Sequence, residues 1–153
     1  EAQAIGRAAV AGINIAVLPL FDYENRGAWN QALGDAIDYF TPDLVVSAGF
    51  MRVVDENVVS RFAGRLINTH PALLPAFPGA HAVRDTLAAG ATTTGSTVHF
   101  IDAGVDTGEV IAQQSVDVLP SDTEATLHER IKVVERELVV QVVKDFAQKK
   151  VAT

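Results

Sequence analysis

Short apolar runs alternate with helical patterns along the first half of this chain, and this alternation constrains its fold most. Three runs of apolar or β-branched residues predict strands at residues 13–18, 44–47 and 65–69. Between the first two strands, Trp29, Leu33, Ile37 and Phe40 recur at helical spacing. Further helices are predicted at residues 1–11, where Gly12 ends the helix, and at 55–62. This order is typical of an α/β domain with parallel strands, in which residues 44–47 are expected to be buried on both faces.

The second half predicts a different arrangement. Residues 80–89 predict a helix, and residues 94–101 and 110–116 predict two strands joined by a loop that is too long for a two-residue turn. Ser121 and Glu124 have capping-box spacing at the start of a long C-terminal helix. Its predicted buried stripe comprises Leu127, Ile131, Val134, Leu138 and Val142.

Composition excludes several classes of protein. The 153 residues, 48% of them hydrophobic, suffice for a packed core, and we expect one domain over residues 1–153. The absence of cysteine excludes thiol catalysis and fits a cytoplasmic enzyme. A net charge of −7 argues against nucleic acid as a partner, although Arg26 and Arg52 could serve an anionic small molecule. No apolar run approaches the length of a membrane span, so no membrane partner is expected.

Asn68 and His70 are the first candidates for chemistry. They stand two residues apart at the end of a predicted strand, so their side chains project to the same side. Three prolines in residues 71–79 make the following loop stiff, and such a loop can hold polar side chains in place. The spacing is explained equally well if Asn68 caps a turn and His70 is a structural histidine.

The loop of residues 102–108 is the second candidate. Its two aspartates and two glycines could bind a cation, position a histidine, or make a turn, and local evidence favours the turn. No metal site is expected, because the four histidines lack zinc-type pairing and the loop lacks calcium-type spacing.

An ordered set of motifs resembles the phosphoribosylglycinamide formyltransferases. It includes residues 48–52 (Ala-Gly-Phe-Met-Arg), 68–81 (Asn-Thr-His-Pro-Ala-Leu-Leu-Pro-Ala-Phe-Pro-Gly-Ala-His), 95–100 (Gly-Ser-Thr-Val-His-Phe), 106–108 and 113–114. The resemblance implies a Rossmann-like formyltransferase fold: a mostly parallel central sheet flanked by helices, with a long C-terminal helix. The family's N-terminal Gly-x-Gly-Ser-Asn phosphate loop has no match, so we expect a fragment from which the N-terminal strands are missing.

The resemblance also implies roles for individual residues. Those implied to be catalytic are Asn68, His70 and Asp106. Those implied to bind 10-formyltetrahydrofolate are Arg26, Met51, Arg52, Val53, Val54, Asn68, Asp102, Ala103, Gly104, Val105 and Asp106. Those implied to meet the glycinamide ribonucleotide are Lys132, Val133, Val134 and Glu135. His81 and His99 are interpreted as supporting or structural, and a homodimer is one possible assembly.

The implied reaction is formyl transfer from 10-formyltetrahydrofolate to the ribonucleotide's amine in purine biosynthesis. Asn68 and a protonated His70 would donate to the oxygen that gains negative charge, while Asp106 would stabilise that histidine and accept the amine's proton. Alternatives with the same core are formyltetrahydrofolate hydrolase and methionyl-tRNA formyltransferase. A folate-binding fragment without catalysis is a further alternative.

Overall fold

The computed structural model describes residues 3–151. They form two compact units that divide between Thr41 and Pro42. Each unit is described separately, and a single domain over residues 1–153 stays a prediction.

The first unit contains two helices. Helix α1 spans Gln3–Val10, a 3-10 turn spans Leu20–Asp22, and α2 spans Arg26–Tyr39. Asn25 caps α2, because its side chain accepts a 2.9 Å hydrogen bond from the Ala28 amide. Trp29 is buried, and its Nε1 donates to the Leu18 carbonyl at 2.9 Å. The periodicity thus correctly predicted α2. The helix predicted at residues 1–11 is confirmed where it is described, since residues 1 and 2 lie outside the described part.

The strand predicted at residues 13–18 is wrong. Among the described residues this segment pairs with no other strand. A strand exists only where a neighbour takes up its backbone hydrogen bonds, and β-branched composition cannot supply that neighbour. Ile13, Ile15 and Val17 are accordingly exposed.

The second unit is built on a four-stranded sheet. Its elements are β1 (Val45–Ser47), α3 (Glu56–Arg61), β2 (Leu66–His70), α4 (Ala82–Ala88), β3 (Thr93–Phe100), β4 (Val110–Asp117) and α5 (Glu124–Val151). The strand order is β1-β2-β3-β4. Every segment predicted as helix or strand in this unit is thus found, within one to three residues at its ends.

The sheet is mixed, which corrects the expectation of a mostly parallel one. Strand β1 pairs with β2 in parallel, whereas β2 with β3 and β3 with β4 are antiparallel. Parallel neighbours need a crossover connection, and α3 provides it between β1 and β2, whereas β3 continues into β4 through a loop. Burial of β1 on both faces is also wrong for the described residues, because Val46 is 38% exposed.

Helix α5 packs against the sheet through the predicted stripe. Leu127 and Ile131 form a cluster with Val83 and Val116, against which Val134 packs. Val142 joins Ile67 and Val98 in a second cluster, against which Leu138 packs. The stripe is confirmed, and these contacts fix α5 along one face of the sheet.

The cap of α5 differs from the prediction. The helix begins at Glu124, and Thr123 and Thr126 exchange hydrogen bonds: the Thr126 amide donates to Thr123 Oγ1 at 3.2 Å, and the Thr123 amide to Thr126 Oγ1 at 2.9 Å. The helix starts too late for Ser121 to cap it, so the Ser121–Glu124 capping box is wrong. None of the helices within residues 3–151 combines the length and apolarity needed to cross a membrane.

Candidate active site

Polar side chains line one face of the sheet where β2 and β3 pair. Asn68 lies opposite His99, and His70 lies opposite Thr97. Residues opposite each other in a sheet share a face, and so do residues two apart on one strand. Asn68, His70, Thr97 and His99 therefore belong to the same face, as the spacing of Asn68 and His70 predicted.

The proline-rich loop is fastened to this face by side chains of the sheet. Thr97 Oγ1 donates to the Ala72 carbonyl at 2.6 Å and accepts from the Leu74 amide at 3.1 Å. Gln113 Nε2, from β4, donates to the Leu74 carbonyl at 2.8 Å and to Thr97 Oγ1 at 2.9 Å. A segment that proline excludes from helix and interior strand thus takes its position from hydrogen bonds to its neighbours.

The two aspartates of the loop between β3 and β4 have different roles. Asp102 makes the turn, because its Oδ1 accepts from the Gly104 amide at 3.0 Å and from Thr107 Oγ1 at 2.8 Å. Gly108 lets the chain pass the Phe100 carbonyl oxygen, with which a Cβ would collide. Asp106 adopts a left-handed conformation, with φ of 56°, which aspartate tolerates better than most residues. The turn interpretation is therefore right for Asp102, while Asp106 reaches a histidine.

Asp106 and His70 form a pair in which the histidine is buried and the aspartate is half-buried. His70 Nδ1 lies 3.3 Å from Asp106 Oδ2, and the two side chains are 5% and 12% exposed. The same carboxylate oxygen accepts from the Gly79 amide at 2.7 Å, and His70 Nε2 lies 2.8 Å from the Phe77 carbonyl oxygen. A carbonyl oxygen only accepts, so Nε2 carries a proton, and a second proton on Nδ1 would face a carboxylate. The ring is therefore held between two acceptors, the Phe77 carbonyl and the Asp106 carboxylate.

His99 connects this pair to Asn68. Its Nε2 lies 3.4 Å from Asn68 Nδ2 and 3.6 Å from Asp106 Oδ1. The four side chains therefore form one continuous polar cluster, in the order Asn68, His99, Asp106, His70. Sequence reasoning found three of them and interpreted His99 as merely supporting or structural.

A cavity of about 470 Å³ opens over this cluster. Residues implied to bind the folate that line it are Met51, Arg52, Val53, Val54, Asn68, Asp102, Gly104, Val105 and Asp106. Lys132 and Glu135 line it from α5, as does His128, which the sequence analysis did not single out. His128 precedes Lys132 by four residues and Glu135 by seven, so helical spacing could have found it.

Some of the implied site residues lie elsewhere. Ala103, Val133 and Val134 do not line the cavity, and Val133 is 54% exposed. Arg26 begins α2 in the first unit, and its role stays a prediction. His81 is exposed at the start of α4 and is not among the residues that line the cavity.

Charged side chains of both signs line the cavity. Lys132 donates to Glu129 at 2.7 Å, and this ammonium holds the pKa of the Glu129 carboxyl below its ordinary value. Arg52 and Lys132 are the strong cations of the lining, and Asp102, Asp106 and Glu135 are its carboxylates. In the described part of the chain, no three histidine, aspartate or glutamate side chains are grouped so that they could hold a metal ion.

The lining suits a flat heteroaromatic ligand with polar edges. Met51, Val53, Val54 and Val105 provide apolar contact, and the polar residues Asp102 and Asp106 line the same cavity. A pterin ring combines an apolar face with an edge of hydrogen-bond donors and acceptors, so these residues fit it.

Comparisons with known proteins agree with this geometry. The formyl transferase family matches residues 1–143. The chain is 54% identical over 147 residues to the phosphoribosylglycinamide formyltransferase of Mycobacterium tuberculosis, covering 96% of this chain and 68% of that protein. It is 36% identical to the Bacillus subtilis enzyme of the same name, covering 95% and 75%.

Solved structures give the same result. Glycinamide ribonucleotide transformylase 1 from Symbiobacterium toebii superposes with a TM-score of 0.94 at 38% identity, covering 97% of this chain and 70% of that one. The phosphoribosylglycinamide formyltransferase of Streptococcus pneumoniae superposes with a TM-score of 0.90 at 38% identity, covering 95% and 81%. The α/β formyltransferase fold expected from the sequence is thereby confirmed.

Proposed function

Because this chain belongs to the formyl transferase family, we propose that it transfers a formyl group from 10-formyltetrahydrofolate to the amine of glycinamide ribonucleotide in purine biosynthesis. The observation that carries the proposal is the continuous cluster of Asn68, His99, Asp106 and His70 beneath one cavity. Such a cluster places hydrogen-bond donors and a carboxylate around a single reacting centre.

Asn68 and His70 stabilise the oxygen that becomes negative when the amine attacks the formyl carbon. An amide N–H and an imidazole N–H are donors that can stabilise such an oxygen, and both side chains are held by surrounding groups before the reaction begins. Asn68 supplies its side-chain Nδ2. Asp106 orients His70 through Nδ1, and Nε2, which contacts the Phe77 carbonyl in this structure, must turn from that carbonyl to donate to the reacting oxygen.

Asp106 orients His70 and accepts the proton that the attacking amine releases. Its Oδ2 is occupied by the Gly79 amide and His70, whereas within residues 3–151 Oδ1 has only the longer 3.6 Å contact with His99. Oδ1 is therefore the oxygen available for the proton, directly or through one water.

In this proposal, different residues of the cavity wall bind the two substrates. Met51, Arg52, Val53, Val54 and the 102–106 loop hold the folate, and Arg26 is proposed to contribute to its binding. The segment from Lys132 to Glu135 meets the ribonucleotide, with Lys132 and Glu135 carrying the contacts because they line the cavity. The same proposal includes a cytoplasmic location and small-molecule partners. The homodimer remains a prediction from the sequence.

The deciding experiment is a product assay on the intact protein. We expect 10-formyltetrahydrofolate and glycinamide ribonucleotide together to yield formylglycinamide ribonucleotide, identified by mass spectrometry. Free formate released without the ribonucleotide would instead indicate a hydrolase, and absence of both products would refute the proposal. His70→Ala serves as the inactive control.

A further inference from the structure

His99 occupies a fixed position at the centre of the site. It lies in β3 directly opposite Asn68, and it is 2% exposed. The register between β3 and β4 shifts at Val98 and His99, a bulge of the kind that redirects a side chain beside an active site. The proposed reaction as derived above gives this ring no task.

Hydrogen bonding sets the protonation of each ring nitrogen. Nδ1 of His99 lies 2.8 Å from the Phe100 carbonyl oxygen, which can only accept, so Nδ1 carries the proton. Asp106 Oδ1, at 3.6 Å from Nε2, lies beyond hydrogen-bond distance, whereas Asn68 Nδ2 lies within it at 3.4 Å. In the neutral ring, Nε2 therefore presents its lone pair to the Asn68 amide. The contact is long, as catalytic hydrogen bonds often are before a substrate binds.

This lone pair determines the orientation of the Asn68 side-chain amide. With nitrogen inward, the amide donates one N–H to His99 Nε2 and keeps its second N–H for another acceptor. With oxygen inward, a carbonyl oxygen would face the Nε2 lone pair at the same distance. Acceptors facing one another without a proton repel, so the inward nitrogen is favoured.

We propose that His99 is a positioning residue: its bare Nε2 holds the Asn68 amide with an N–H, rather than the carbonyl, directed at the reacting oxygen. The inference rests on the proposed formyl transfer and assigns His99 a task within it. Its effect on turnover passes entirely through Asn68.

A double-mutant cycle tests this dependence. His99→Leu removes the acceptor, and we expect kcat to fall about tenfold, the value of one hydrogen bond, with the KM for the formyl donor unchanged. In an Asn68→Ala background the same substitution should change kcat less than twofold, because no amide remains to orient. Equal losses in both backgrounds would overturn the proposal in favour of a structural role.

Two further variants sharpen the cycle. His99→Gln keeps a side-chain acceptor and should recover most of the activity lost in His99→Leu, whereas equal losses would argue against the lone pair. His81→Leu removes an exposed histidine outside the cavity lining and should leave kcat within twofold.

A spectroscopic measurement requires neither a variant nor activity. In the intact protein labelled with 15N-histidine, NMR should show the His99 ring protonated on Nδ1 and bare on Nε2. A ring protonated on Nε2, alone or on both nitrogens, would overturn the proposal. If the protein transfers no formyl group yet shows the bare Nε2, the proposed reaction fails while the positioning geometry stands.

Discussion

Replacing Asp106 with asparagine removes the negative charge of the side chain and keeps its shape. Asparagine tolerates the φ of 56° that residue 106 adopts. Its oxygen can take the Oδ2 position and accept from the Gly79 amide, while its nitrogen takes the Oδ1 position facing His99 Nε2. The variant should therefore fold, and what disappears is one negative charge 3.3 Å from the His70 ring.

The size of the effect follows from this geometry. Two unit charges 3.3 Å apart attract each other by about 5 kcal/mol at an effective dielectric constant of ~20. The cost of removing both groups from water offsets most of this attraction. A charge-assisted hydrogen bond exceeds a neutral one by about 1–2 kcal/mol, so this loss alone lowers kcat roughly 5- to 30-fold. Loss of a proton acceptor typically costs a further factor of about 10²–10⁴. We expect kcat to fall by at least ~10² with little change in KM.

The assay is steady-state formyl transfer by the intact protein, with thermal unfolding measured on the same samples. Asp85→Asn, in an exposed pair with Arg84 on α4, is the matched control and should remain within twofold of the parent. A loss below threefold in Asp106→Asn, at unchanged thermal stability, would refute both roles assigned to this carboxylate.

Three other substitutions test separate parts of the structure. Asn68→Ala should lower kcat by about 10²–10³ if Asn68 donates to the reacting oxygen, and a few-fold loss measured in the same assay would return it to a structural role. Gly108→Ala forces a Cβ against the Phe100 carbonyl oxygen and should lower the free energy of unfolding by about 1–3 kcal/mol in urea titrations; an unchanged midpoint would contradict the close approach. Asp122→Asn should lower Tm near neutral pH, because Arg130 holds the pKa of Asp122 well below its ordinary 3.8. A depressed pKa stabilises fully above the ordinary value and progressively less as pH falls towards the folded-state pKa, so the difference from the parent should shrink below about pH 4. A difference in Tm that stays constant with pH would exclude this ion pair as its source.

Local patterns predicted the helices of this chain well because helical burial repeats along the sequence. The spacing of Trp29, Leu33, Ile37 and Phe40 located α2, and that of the stripe beginning at Leu127 located α5. Strands depend on partners that can lie far away in sequence. Residues 13–18 have strand-like composition and still pair with nothing among the described residues.

The site was predictable to the extent that it is local. Asn68 and His70 stand two residues apart on one strand, so alternation alone placed them on one face. Asp106 reaches His70 only because the β3–β4 loop returns to β2, and His99 reaches Asn68 only through strand register. Sequence spacing predicts neither contact. The family resemblance identified Asp106 as a site residue and assigned no defined role to His99.

The proline-rich loop holds the His70–Asp106 pair with main-chain atoms: the Phe77 carbonyl oxygen and the Gly79 amide. Substituting the side chain of Phe77 leaves that carbonyl in the chain, so alanine scanning will undervalue this position. Replacing the peptide bond that contains the Gly79 nitrogen with an ester, by chemical ligation, would delete the N–H directly. For the same reason, a substitution in this loop affects the pair only where it changes the backbone path that brings the Phe77 carbonyl and the Gly79 amide to it.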